Sequence, residues 1–265
     1  MSKGNRNKQA ARERIARLRA EEARRRRRRL WTAITAVAIL VIAATVGIIL
    51  AVAGGSGTTS RGAAAAGGAT PRQSLAPLST LGTLEPAPTP GPLGPEGVPV
   101  PAGPPLAGTA TAATGQPVAQ ISCQASEQTL FHIHTHLALF VNGKARQVPA
   151  AIGVPGARAQ QTAQGPFIAA GTCFYWLHTH AADGIIHIES PVQRTYTLGN
   201  FFDVWGQPLG PYPAGPAAGR VVALYNGKVY QGNPSDIPLT AHAQIQLDVG
   251  SPLIAPQPVS FPAGL

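Results

Sequence analysis

The sequence predicts a mainly β protein: a single N-terminal transmembrane helix plus one extracytoplasmic β-sandwich or small barrel. Three observations carry this. Residues 30–53 are almost wholly apolar. All seven histidines, both cysteines, all tyrosines and all phenylalanines lie beyond residue 119. Within that last part, short alternating apolar and polar runs end at turn-forming pairs, which is the pattern of half-buried strands.

Residues 1–29 hold 13 Lys and Arg against three acids, which is the whole net charge of +10. The high basicity thus belongs to a tail, and no nucleic-acid partner is expected for the folded part, which would need its own basic patch. The apolar run at 30–53 exceeds the roughly 20 residues needed to cross a bilayer. A cleaved signal peptide is the competing reading, but the apolar stretch is longer than such peptides use. Arg24 to Arg29 abut its start, and no basic residue follows until Arg61. Positive charge favours the cytoplasmic side. The expected location is therefore the cell membrane, single-pass, with the N-terminus cytoplasmic and the C-terminal domain outside. Membrane lipid is the implied partner.

Residues 54–118 are rich in Gly, Ala, Ser, Thr and Pro, lack aromatics and show no strand or helix period. They read as a disordered, partly extended spacer. The folded domain then occupies 119–265. Residues 129–141 alternate and end at Asn142-Gly143, a strong hairpin turn, with 144–149 returning. Further strands are expected at 171–178, 184–189 and 193–198. A second hairpin is expected from 220–225 and 228–231 around Asn226-Gly227, and a last strand at 242–249. A short helix is expected at 198–205, capped by Thr197. Cys123 and Cys173, the two cysteines, are expected to pair in an oxidising compartment.

Seven histidines in such a domain are the main chemical clue. His132, His134 and His136 share one face of a strand, since alternate residues point the same way. They span too much length for one ion on a straight strand, though two neighbours suffice. His178 and His180 form a second pair. Asp183-Gly184 reads as a turn that returns the chain to His187 and Glu189. His242 opens the last strand. Neutral imidazoles suit zinc, copper, iron and nickel. The candidate metal ligands are therefore His134, His136, His178, His180, His187 and His242, holding copper or zinc. Asp183 and Glu189 are candidates to orient an imidazole by accepting its other N–H. The competing readings are hydrogen-bonded structural histidines and metal-free acid–base chemistry. His132 reads equally as a surface residue.

The stretch Tyr175-Trp176-Leu177-His178-Thr179-His180 with Asp183-Gly184 resembles the first-domain His-x-His motif of multicopper oxidases and copper nitrite reductases. That resemblance covers about ten residues. It implies copper ligation by His178 and His180 on a cupredoxin-like sandwich. The His-Cys-His run that makes the family's blue-copper site is absent. The domain also resembles membrane-anchored, His-rich proteins of high-GC bacteria, a similarity that names no activity. No phosphate-binding loop, serine-hydrolase elbow or haem attachment motif is present, so catalytic residues are not singled out and enzymatic activity is left open.

The first expectation is thus a membrane-anchored extracytoplasmic metal-binding domain for metal handling or simple metal-dependent chemistry. The alternative is an accessory subunit capping a membrane protein complex. There, Ala44, Gly47 and Ala51 would face neighbouring helices, and Phe201, Phe202, Trp205 and Tyr212 would dock a partner.

Overall fold

In the computed structural model, residues 74–109 and 114–265 are described. The frame is an eight-stranded mixed sheet. Its strands are β1 (Leu75–Ala76), β2 (Phe131–Val141), β3 (Lys144–Arg146), β4 (Leu177–His178), β5 (Ile185–Ser190), β6 (Val221–Tyr225), β7 (Lys228–Tyr230) and β8 (Gln244–Val249). Their order is β1-β7-β6-β8-β2-β5-β4, with β3 pairing beside β5 along the other half of β2. The central pair, β2 and β8, is parallel, and every other neighbour in the sheet is antiparallel.

The two Asn-Gly hairpins form where the sequence places them. Asn142-Gly143 joins β2 to β3 and Asn226-Gly227 joins β6 to β7, with Val141 opposite Lys144 and Tyr225 opposite Lys228. In both, the Asn has φ 49° and the Gly φ 74°, the left-handed pair that matches strand twist in a two-residue turn. Helix α1 (Leu198–Trp205) also forms. Thr197 accepts from the Asn200 N–H, and the Asn200 side chain accepts from the Thr197 N–H, a reciprocal cap. Gly206 ends the helix in the left-handed region.

Alternation divides the sheet into two faces. Leu137, Leu139, Ile186, Ile188, Ile245, Leu247 and Val249 point one way and merge with Tyr196, Phe201, Phe202, Val204 and Trp205 in one apolar core. The aromatics expected as docking residues on α1 thus fill the core: Phe201 and Trp205 are 0% exposed and Phe202 1%. Tyr212 is exposed. The alternate residues of the same strands, including the histidines of β2 and β5, face the other way.

The fold class departs from the expected sandwich or barrel. A sandwich needs a second sheet broad enough to cover the first. Among the described residues the other ladders are two-stranded and short. One face is covered by α1 and the other by irregular chain, so the architecture is a mixed β/α protein on an open sheet, neither closed nor cupredoxin-like. Periodicity reports that a strand has one apolar face but not what covers it, which is why a sandwich was expected.

The membrane expectations also need correction. Among the described residues no helix is long and apolar enough to cross a membrane. The segment 30–53, on which the anchor, the single-pass location and the extracytoplasmic placement rested, lies outside the described residues, as do the basic tail and the small-residue face at Ala44, Gly47 and Ala51.

Residues 74–109, within the stretch expected as a spacer, pack on the domain. β1 extends the sheet edge through β7. Glu85 N–H donates to Leu253 O and its carbonyl accepts from Ala255 N–H, while Leu106 N–H donates to Gln147 O and Gln147 N–H to Pro104 O. The Gln147 side chain donates to Pro101 O, the Gln257 side chain to Pro88 O and the Trp205 indole to Gly108 O. A Cβ at Gly103 would lie 1.8 Å from Ala145 O, so only glycine permits that approach. Proline-rich chain cannot build its own core, yet its carbonyls remain good acceptors for a sheet already made. The disulfide Cys123–Cys173 is present, with Cα atoms 5.5 Å apart and a sequence separation of 50. Closing a loop of that size contributes about 4 kcal/mol by restricting the unfolded chain.

Candidate metal centre

Three neighbouring strands align their histidines in one rung. β5 pairs His187 with His134 of β2 on one side and with His178 of β4 on the other. Two positions further along the β2–β5 ladder, on the same face, His132 lies opposite Glu189. Cross-strand partners share a face, so these side chains meet on the side away from the core. His180, two residues beyond His178, joins them.

The first group is a ring of four donor atoms. His132 Nε2 lies 3.1 Å from His134 Nε2, which lies 3.1 Å from His187 Nδ1. His187 Nδ1 is 3.3 Å from Glu189 Oε1, and Glu189 Oε1 is 3.1 Å from His132 Nε2. A second group comprises His178, His180, His187 and Glu189, and within each group all ligand atoms lie within 4.8 Å of one another. For ligands about 2.0–2.1 Å from a tetrahedral ion, the ligand–ligand edge is about 3.3 Å. The four edges of the ring match that spacing and its diagonals stay within 4.8 Å, so the four donors lie close enough to share one ion. A cluster of buried histidines and carboxylate able to chelate a metal ion is present.

Local bonds set the tautomers of the second group. His178 Nδ1 is 2.8 Å from Tyr175 O and His180 Nδ1 is 2.5 Å from Ile168 O. A carbonyl only accepts, so each Nδ1 carries the proton and each Nε2 presents a lone pair. Those two Nε2 atoms are 3.1 Å apart. This is the arrangement in which a backbone carbonyl fixes a ligating imidazole.

The electrostatics differ from ring to ring. Burial holds His134 down to about 3, helped by the charges of His187 and His132. Burial also pushes His178 well below the usual imidazole value and lowers His180. His187 goes the other way. Burial opposes its charge, but hydrogen bonds to Glu189 and Glu96 outweigh that and raise it to about 9. Its Nε2–H donates to Glu96 Oε1 at 2.7 Å. The proton on Nδ1 occupies the lone pair that an ion in the first group would use.

Glu96 comes from the proline-rich stretch. It sits in a turn closed by Gly97 N–H donating to Gly94 O at 3.0 Å, and its side chain is 4% exposed. Glu127 Oε1 lies 3.4 Å from His180 Nε2, and burial followed by the charge of Glu189 raises its pKa. Buried Glu96 Oε2, Glu189 Oε2 and Asp183 Oδ2 have no hydrogen-bond partner among the described residues. Unpaired buried oxygens are costly, and a cation would satisfy them. A cavity of about 560 Å³ opens on the cluster, lined by Glu96, Glu127, His132, His134, His180, His187 and Glu189 together with Phe167 and Pro262–Leu265. A separate apolar cleft of about 320 Å³ borders His136 and none of the clustered residues.

Of the sequence-derived candidates, His134, His178, His180 and His187 converge. His136 does not: its Nε2 donates to Asp183 O at 3.2 Å, and burial holds its pKa down to about 4. His242 is exposed, with Nε2 2.8 Å from Leu265 O and its ring stacked on Phe261. Asp183 orients no imidazole with its carboxylate, whose Oδ1 accepts from the Ile185 N–H. A side chain at Gly184 would meet Leu137 O at 2.4 Å and His136 Nε2 at 3.0 Å, so glycine, at φ 87°, keeps this turn tight against β2. Glu189 touches the imidazole nitrogens directly rather than from behind. Sequence reasoning missed His132, Glu96 and Glu127 as members. Alternation had already placed His132 on the correct face, whereas no local signal marks Glu96 or Glu127.

The copper-oxidase resemblance fails on this geometry. His178 and His180 do meet, but His178 lies in a two-residue strand ending an open mixed sheet, and no copper motif of that family is evident. No family model matches the chain, and neither does any curated protein or solved structure.

Proposed function

We propose that this protein binds a divalent transition-metal ion, zinc or copper(II), through His132, His134, His187 and Glu189. The four-atom ring with 3.1–3.3 Å edges supports this reading. The donor set is three imidazoles and a carboxylate, which suits these borderline ions. Both cysteines are in the disulfide and Met1 is the sole methionine, so the soft ligands that select copper(I) are lacking. A proton on His187, whose pKa is raised to about 9, holds one of the same lone pairs in the metal-free protein. Metal binding thus releases that proton.

The test is metal analysis of the full chain after dialysis against zinc and, separately, copper(II). At least one ion should be retained per chain. Replacing both His132 and His134 by Ala should remove the ion of this ring while circular dichroism is preserved, and Glu189→Gln should weaken it. No retained ion under either condition would leave the ring as a proton-held network and defeat the proposal.

A further inference from the structure

The ring accounts for four donors and leaves His178 and His180 outside it. Their Nε2 atoms converge at 3.1 Å, and both Nδ1 protons are committed to carbonyls. Neither nitrogen can donate to the other, so two lone pairs face each other inside the protein. This pair needs a cation of its own. Glu189 supplies the link. Its Oε1 belongs to the first ring, whereas its Oε2 is buried without a hydrogen-bond partner among the described residues. The same residue falls within 4.8 Å reach of His178 and His180. Glu127, 3.4 Å from His180 Nε2, adds a further oxygen on that side.

We infer that the cluster is a two-metal centre, with a second divalent ion seated between His178 Nε2 and His180 Nε2 and bridged to the first by the Glu189 carboxylate. This rests on the metal-binding reading of the first ring and extends it. Carboxylate-bridged pairs of ions typically sit about 3.5–4 Å apart. Three carboxylates, from Glu96, Glu127 and Glu189, surround the cluster, so two dications meet nearly matching charge. His180 and the first ring line the same cavity, so both ions would be reached from one opening.

The experiment is stoichiometry on the full chain, loaded with copper(II), freed of excess ion and read by metal analysis and electron paramagnetic resonance. Two ions per chain with a spin-coupled signal are expected. The double variant His178→Ala/His180→Ala should keep one ion and show the spectrum of an isolated copper(II). One ion in the wild-type chain, with no coupling, overturns the two-metal centre while leaving the first ring intact. No ion at all overturns both readings. The wild-type count decides even if the double variant does not fold.

Discussion

The two faces of β2 and β5 are built from alternate residues of the same strands, yet they depend on different physics. On one side Leu137, Leu139, Ile186 and Ile188 pack against Phe201, Phe202 and Trp205. That face is stabilised by apolar area, at about 25 cal/mol per Å², and any well-fitting apolar neighbour serves. On the other side His132, His134, His187 and Glu189 meet through single atoms about 3 Å apart. There the stability depends on which lone pair holds a proton or an ion. The comparison teaches that burial alone does not divide structure from function in this sheet, since His178 is as buried as Ile186. What divides them is whether the buried atoms are satisfied. The core face leaves few polar atoms to satisfy, whereas the imidazole face leaves Glu189 Oε2 and Glu96 Oε2 without a hydrogen-bond partner among the described residues.

The strongest break of this contrast is Trp205→Ala. It removes a 0% exposed ring and the indole hydrogen bond to Gly108 O. Denaturant unfolding should show a loss of about 3–5 kcal/mol, with metal stoichiometry unchanged in the protein that remains folded. Loss of metal at full folding would mean that the faces are not separable.

Next is acid sensitivity. His136 is held at about 4, below its ordinary 6.5, by burial. Between those values the unfolded chain takes up a proton that the folded chain refuses. Its contribution is therefore complete above pH 6.5 and is lost as the pH falls towards 4, by about 3 kcal/mol. His134 acts in the same direction. His187, raised to about 9, acts oppositely: its contribution is present below 6.5 and is lost as the pH rises through 9. Unfolding curves of metal-free protein from pH 7 to 4 should fall less steeply for His136→Gln than for wild type. Equal slopes would show that His136 is not the sensor.

Metal removal comes third. At an ion concentration about 100 times Kd, binding to the folded state alone contributes about 2.7 kcal/mol. A chelator should lower the midpoint of thermal unfolding, and zinc should restore it. A midpoint indifferent to both would place the ion, if bound, outside the fold.

The smallest effect is at Glu96→Gln, which keeps an acceptor near His187 Nε2 but removes its charge. His187 should then titrate lower, from about 9 toward its ordinary 6.5, as read by nuclear magnetic resonance of the imidazole. An unmoved value would assign the shift to Glu189 alone.

Much of the local structure was legible. Alternation located β2, β5, β6 and β8, the Asn-Gly pairs located both hairpins, and Thr197 located the start of α1. The disulfide followed from the cysteine count. The histidines that converge were recognisable as a set, but their partition was not. His136 lies two residues from His134 on the same face and still bonds a turn carbonyl instead. His242 fits a strand pattern, yet its backbone has φ 58° and its ring stacks outside the cluster.

By itself, then, the sequence determined the long strands β2, β5, β6 and β8, the two Asn-Gly turns, the helix cap, the paired cysteines and which residues of those strands share a face, whereas it did not reveal β1 or the hairpin of Arg158–Thr162 and Gly165–Ala170. Only the tertiary structure decided that the sheet is open and mixed, that β2 lies parallel to β8, and that His178, His187 and His134 align in one rung. It also decided that a proline-rich stretch without periodicity carries Glu96 to His187. Those pairings join residues far apart in the chain, and their energy comes from surfaces that exist only once the sheet has formed.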